Sequence, residues 1–381
     1  AANQRVRWGM VGGGSGAFIG PVHRAAAALD GLYDLRAGAL SSEPARAKES
    51  ALAVGIAPGR AYGSWREMLA SESKRPKDER VELVSIVTPN ATHHEIARAF
   101  IDAGFHVLID KPMTTTVEQA RDLVAAVDRA GVVGAVMYNY TGYPLVREMR
   151  DIVASGRISK IRRVYVEYHQ GWLATALERD GQKQASWRAD PGQAGAGGAI
   201  GDIGTHAEQL LRFITGLEID SLLAELTAFV PGRTLDDDAG AMLRLSGGAR
   251  AMLTVSQICV GEENNLSIRV HGETGSLAWR QESPNELDLR TLSGERRIIT
   301  RASAGLGQRA TAGTRLPTGH PEGFIEAFAN IYADVAHAVL RSRDGARFDP
   351  ATATFPMVHD GLRGVEFIER MTTSARTGAW A

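Results

Sequence analysis

A short apolar run, Val6 to Val11, feeds directly into the turn GGGSGAFIG, and an Ala-rich helical pattern, Pro21 to Leu29, follows. Glycine at this density marks backbone that must turn sharply or lie against something with no room for a side chain. Between a strand and a helix, such a turn commits the chain to a crossover that returns a second strand parallel to the first. The apolar periodicity continues the alternation. Strands are expected at Tyr33–Leu40, Val81–Val87, Phe105–Ile109 and Val132–Tyr138, with helices at Glu43–Val54, His94–Ala103 and Val117–Ala130. Short connections and alternating elements build a parallel sheet in one α/β domain, residues 1–140.

Beyond that point the pattern changes. A helix at Leu145–Ser155 precedes strand candidates at 162–169, 222–229, 240–245, 249–259, 266–271, 276–280 and 286–292, most joined by turns such as SGGAR and HGETGS. Consecutive strands with tight turns imply a mostly antiparallel, open sheet in a second, α+β domain over 141–381, with the C-terminal helix free to pack back on the first. The stretch 302–320 has no periodicity and is long enough to suggest a lid, a contact with a partner subunit, or a loose loop. With 43 Lys and Arg against 44 Asp and Glu, no charge excess points to nucleic acid or membrane. The opening residues AANQRVRWGM carry no apolar signal region, so a cytoplasmic location is expected. The single cysteine, Cys259, excludes an intrachain disulfide.

The spacing Gly12-x-Gly14-x-x-Ala17 fits the dinucleotide turn. Gly12 makes the turn, Gly14 lets backbone approach a pyrophosphate, and Ala17 is small enough for helix and strand to pack. The N–H groups over Ser15, Gly16, Ala17, Phe18 and Ile19 then face the phosphates. After the second strand stand Ser41 and Ser42, with Arg46 beyond, where an NAD site usually has an acidic residue. Two serines suit a plain ribose; with Arg46 they also suit a 2′-phosphate. NAD is the first expectation and NADP the second.

Three further segments occur in order: VTPNATHHEIA (87–97), GFHVLIDKPMTTT (104–116) and GGAIGDIGTHAEQLLRFITG (197–216). Together with the glycine turn and the tail HDGLRGVEFIERMTTSARTGAW, they resemble the glucose–fructose oxidoreductase, inositol dehydrogenase and MocA (Gfo/Idh/MocA) family over nearly the whole chain. The resemblance implies an N-terminal Rossmann domain, a C-terminal open sheet, a nicotinamide cofactor, and homodimers or homotetramers packed through that sheet. It implies Thr88, Pro89, Asn90 and His93 along the cofactor cleft, Lys111 between nicotinamide and substrate, and Asp202 with His206 as the catalytic pair. The family usually has Glu-Lys-Pro where this chain has Asp110-Lys111-Pro112. The shorter carboxylate could shift Lys111 slightly.

Oxidising a secondary alcohol removes a hydride and a proton. His206 suits the base because imidazole titrates near neutrality. Lys111 places positive charge beside a developing alkoxide. Asp202, four residues before His206, would share its helical face and orient the imidazole or contact a substrate hydroxyl. Capping a helix is its structural alternative. A metal would need further ligands that no motif supplies. Gln170, Trp172, Lys183, Gln184, Trp187 and Arg188 are groups that read and stack on sugars, and the two cations suit an acidic sugar. Arg188 and Trp187, like Asn139, are alternatively cofactor contacts. Tyr140 and Tyr143 follow the last parallel strand and are candidate substrate contacts. His320 could reach the site or only cap the helix HPEGFIEAF. Three functions fit these residues. One is an NAD(P)-dependent dehydrogenase of a sugar, glycoside or cyclitol. Another is a redox-assisted glycosidase with tightly bound NAD, which needs a second acid/base such as Tyr143 or His169. The third is a binding protein without catalysis.

Overall fold

The computed structural model describes residues 5–343 and 347–381. Contacts divide the chain into two units, Ala1–Tyr138 with Phe328–Leu362, and Asn139–Ala327 with Arg363–Ala381. The division falls two residues before the boundary read from the sequence, and residues 328–362 group with the first unit.

In the first unit, β1 (Val6–Gly12), α1 (Ile19–Leu29), β2 (Tyr33–Ala39), α2 (Pro44–Ala53), α3 (Trp65–Glu72), β3 (Leu83–Val87), α4 (His93–Asp102), β4 (His106–Ile109), α5 (Val117–Ala130) and β5 (Gly134–Val136) follow in order. The strands form one parallel sheet in the order β2-β1-β3-β4-β5. β3 is buried at every residue, as a strand covered on both faces must be. Because β1 lies between β2 and β3, their C-terminal ends converge at the point where the winding reverses direction. α3 is absent from the sequence reading, although Ser64 and Glu67 announce it: the Glu67 N–H donates to Ser64 Oγ at 3.1 Å, an N-cap.

The second unit opens with α6 (Pro144–Ala154) and β6 (Ile161–His169). It continues through the short helices α7 (Lys183–Arg188) and α8 (Pro191–Ala194), then α9 (Thr205–Thr215). Next come β7 (Ile219–Thr227), β8 (Asp238–Leu245), β9 (Arg250–Ser256), β10 (Asn265–Gly272), β11 (Gly275–Arg280), β12 (Glu286–Thr291) and β13 (Arg296–Thr300). Eight strands form one sheet in the order β13-β12-β11-β10-β6-β9-β8-β7, antiparallel except for the β6–β9 pair. β13 is an addition to the sequence reading; one buried residue, Ile299, leaves little period-2 signal. Alternation along β6 sends Val164, Val166 and Tyr168 into a core shared with Leu210, Leu211 and Ile214 of α9 and Met149 of α6. Each such aliphatic side chain contributes about 1.5–3 kcal/mol of transfer free energy. Glu167 and His169 alternate to the other face.

The stretch 302–320 is neither loose nor wholly irregular. It contains α10 (Gln308–Ala312), and Arg301 donates to the carbonyls of Leu316 (2.7 Å), Pro317 (3.3 Å) and His320. Arg301 also forms a buried ion pair with Glu322 at 2.9 Å, so the segment is tied to its own unit. The next helix, α11 (Phe324–Arg343), begins four residues after His320, and α12 (Val358–Thr377) closes the chain.

Candidate functional site

The first unit gathers its candidate residues along one edge of the sheet. Gly12 to Ile19 follow β1, Ser41 and Ser42 follow β2, Thr88 to Asn90 follow β3, and Asp110 to Pro112 follow β4. Gly12 sits opposite Val87 in the β1–β3 register, and the Gly14 N–H donates to the carbonyl of Leu40 at 3.0 Å. A Cβ on Gly14 would stand 2.3 Å from that carbonyl oxygen. The close helix–strand approach expected of Ala17 is made by Gly20 instead: its Cβ would stand 1.9 Å from Gly13 O. Ala17 is only half-buried.

This cradle fits a dinucleotide. α1 has no side-chain N-cap and no acidic residue in its first turn, so its N-terminal N–H groups and dipole are left for an anion. Phe18, at the mouth of the turn, is 65% exposed. Arg46 is exposed and donates to the Ser15 carbonyl at 2.9 Å, while Ser41 Oγ accepts from the Glu43 N–H.

His93 departs from its expected place along the cofactor cleft. It is 0% exposed, and its ring nitrogens lie 3.0 Å from Pro112 O and 2.7 Å from Thr88 O. It braces the loop after β3 against the loop that carries Lys111. Burial pushes its pKa below the ordinary value, against the opposing charge of Asp110. Asp110 accepts the Lys111 N–H at 2.9 Å and lies 3.9 Å from His23 Nε2. His23 Nδ1 meets Tyr332 Oη at 2.7 Å, Tyr332 meets Ser85 Oγ at 3.0 Å, and Ser85 accepts from Trp8 Nε1 at 2.9 Å. Oriented in one sense, this chain makes Nε2 the proton-bearing nitrogen of His23, facing Asp110. Burial pushes Asp110 up, but His23, Lys111 and His93 outweigh it and hold the carboxyl below its usual range. His23 and Tyr332 carry no sequence motif, and only the fold assembles them.

In the second unit the segment GDIGTH spans most of a π-turn, Ile200–Gly204, and the start of α9. Such turns widen a helix and recur at functional positions. The N-cap position of α9 is taken by Gly204, and Asp202 lies inside the π-turn. Its Oδ2 accepts from Arg188 Nε at 3.0 Å and Gln257 Nε2 at 2.8 Å. Arg188 is fixed in turn by the carbonyl and amide oxygens of Gln184 and stacks over Trp187 at 4.2 Å. Gln257 was not anticipated, yet a buried amide ending the apolar strand TVSQ is a readable signal.

His206 is buried and packs edge-to-face on Tyr140, ring centroids 4.8 Å apart. Tyr140 Oη lies 2.5 Å from Tyr168 Oη, Tyr168 donates to Asn264 Oδ1 at 2.7 Å, and Gln170 Nε2 donates to the same oxygen at 2.7 Å. Trp172 Nε1 donates to Gln170 Oε1. Burial pushes both phenols up, and the charge of Asp202 adds to this, so they remain neutral. Tyr140, expected as a substrate contact, is a buried wall behind His206, and Asn139 beside it is buried too. Tyr143, likewise expected at the substrate, belongs to the core, 5.3 Å from the ring of Trp279. His169 faces away from Tyr168 across the sheet and meets Thr254. Neither supplies a second acid/base beside His206. Lys183 and His320 are exposed. Among the described residues, no group of three or more His, Cys, Asp or Glu is placed to hold a metal ion, and no helix is long and apolar enough to cross a membrane.

Residues 6–140 match the model of an oxidoreductase family with an NAD-binding Rossmann fold, and residues 146–278 match the GFO/IDH/MocA C-terminal domain. The chain belongs to the Gfo/Idh/MocA oxidoreductases. Among Gfo/Idh/MocA relatives, an uncharacterized oxidoreductase, YfiI, from Bacillus subtilis is 32% identical over 98% of this chain and 95% of its own. A levoglucosan dehydrogenase from Pseudarthrobacter phenanthrenivorans is 28% identical over 75% of this chain and 76% of its own. An inositol dehydrogenase homolog from Azotobacter vinelandii, solved with NADH and myo-inositol, superposes with a TM-score of 0.92 at 33% identity, covering 99% of this chain and 97% of that one. The Gfo/Idh/MocA Rossmann domain accounts for the glycine cradle: its ligand is NAD.

Proposed function

We propose that this oxidoreductase transfers hydride between NAD and a secondary ring alcohol of a sugar or cyclitol. The bound nicotinamide supplies the hydride acceptor. His206 takes the hydroxyl proton, Lys111 supplies positive charge for the developing alkoxide, and Asp202, held by Arg188 and Gln257, contacts a second hydroxyl. The observation that supports the reading is the restraint on Asp202: Arg188 Nε and Gln257 Nε2 both donate to its Oδ2, which orients the carboxylate beside the turn that carries His206. The inositol dehydrogenase homolog bound to myo-inositol and the levoglucosan dehydrogenase support the substrate class. His93 and Asp110 act by position, bracing the loop of Lys111. Gln170 is committed to Asn264 and Trp172, leaving the Trp172 ring, Trp187 and Lys183 to meet the sugar.

The test is to follow absorbance of reduced nicotinamide with NAD, then NADP, over a panel including myo-inositol, levoglucosan and nitrophenyl glycosides. Turnover by the wild type, lost by at least about a hundredfold in His206→Ala, is expected from removal of a general base. Nitrophenol release without net cofactor reduction would refute the dehydrogenase.

A further inference from the structure

At the entrance to the π-turn, the N–H groups of Gly198 and of Ile200, its first residue, donate to the two carboxylate oxygens of Asp236, at 2.7 and 2.8 Å. The Ala199 N–H donates to the main-chain oxygen of the same residue at 2.8 Å. A Cβ on Gly198 would stand 2.0 Å from that oxygen, so contact at this distance requires glycine. The Asp202 N–H then bonds back to Gly198 O at 2.9 Å. One buried residue, distant in sequence, thus fixes the two residues that lead into the turn and the first residue of the turn itself.

We propose that Asp236 is a positioning residue for Asp202 and His206: its ionised carboxylate holds the π-turn in shape, and protonation releases the turn without unfolding the unit. Two acceptor oxygens match two N–H donors. A protonated carboxyl presents one hydroxyl oxygen, a far poorer acceptor than a carboxylate oxygen, so the N–H facing it loses its charge-assisted bond.

Several charges face this group. Asp237 accepts from the Phe229 and Val230 N–H groups and from Arg233 at 3.2 Å, and Arg233 also pairs with Glu178 at 3.0 Å. Arg188 lines the same small cavity and is committed to Asp202. Burial pushes Asp236 up to about 6; the N–H bonds oppose this and the charge of Asp237 adds to it. An acid whose pKa is raised by folding binds its proton more tightly when folded. Its stabilising contribution is full below the unfolded value and is lost as pH rises through about 6. Fold and turn therefore respond to acid in opposite senses: below about pH 6 this group does not weaken the fold, yet the turn has lost a charge-assisted bond.

Hydrogen exchange on the wild type, between pH 7 and pH 5, tests this without any substrate. Protection of peptides covering 197–204, corrected for intrinsic rates, should fall about tenfold, the loss of one hydrogen bond, while peptides of β9 hold. Unchanged protection at 197–204 overturns the proposal. Asp236→Asn mimics the protonated form. It should be folded, with low and pH-independent protection at 197–204. The kinetic arm rests on His206 as base: the acid limb of log(kcat/KM) should fall from a slope of two to one in the variant. Wild-type kcat, or a retained slope of two, overturns the proposal. If no alcohol turns over, the functional reading fails and the exchange arm still decides. If Asp236→Asn does not fold, wild-type exchange decides alone.

Discussion

Gly20→Ala tests whether the cradle depends on the approach of α1 to the end of β1. The added methyl would lie 1.9 Å from Gly13 O and 2.5 Å from its C and Cα, all backbone atoms that no rotamer change can move. Real Cβ contacts essentially never fall below 3.0 Å, so α1 must retreat by about 1 Å. Overpacking of this kind costs about 1–3 kcal/mol. At about 2 kcal/mol the melting temperature should drop by roughly 4–8 °C for a unit of this size. The retreat also draws the uncapped N–H groups of the first turn away from the diphosphate. Loss of one or more charge-assisted hydrogen bonds should weaken NADH binding about 10- to 100-fold. Calorimetric or fluorescence titration with NADH, beside a thermal melt, reads both effects. Ala17→Ser is the control, because Ala17 is only half-buried and should tolerate an added hydroxyl. Wild-type NADH affinity in Gly20→Ala, or a larger loss in Ala17→Ser, would refute the assignment of the close approach to Gly20.

Arg188→Met should lower kcat/KM about 10- to 100-fold with the first substrate that turns over, and Arg188→Lys should restore only part, because ammonium cannot reproduce the Nε geometry on Asp202. Arg301→Met breaks a buried pair and should destabilise by about 3–5 kcal/mol in urea melts, with faster proteolysis within 302–320. His106 should make stability acid-sensitive. Burial lowers its pKa to about 4, and Nδ1 accepts the Val133 N–H at 2.9 Å. The folded ring stays neutral while the unfolded ring protonates near 6.5. Its contribution is complete above 6.5 and is lost as pH falls toward 4, at most about 3 kcal/mol. His106→Gln should flatten that slope in melts across the window. Asp236 runs the other way, so the difference between variant and wild type isolates His106.

Much of the fold was legible because burial imposes period on sequence. The buried strand β3 reads as VELVSIV, and the alternation of β6 and β9 reads directly from their side chains. α3 escaped through a missed N-cap serine, and β13 through having one buried residue. Motifs on turns made the proposed site legible in the sequence: the glycine loop, Lys111 and GDIGTH each stand out as residue patterns. The sequence could not show that His93 is a brace, that Tyr143 is core, or that Gly20 rather than Ala17 makes the close approach.

What the sequence by itself determined is local: which segments bury one face, where the backbone must turn, and which side chains are candidates for proton and charge chemistry. What only the tertiary structure decided is pairing across distance. Asp236 meets Gly198 and Ile200, Gln257 meets Asp202, and His23 meets Tyr332, each across tens or hundreds of residues. Buried polar groups must find partners, but sheet register and helix packing choose which partners arrive. A run such as LDDDAG looks like a solvated charged face in isolation. Folded, two of its carboxylates, Asp236 and Asp237, are buried and spent on backbone N–H groups.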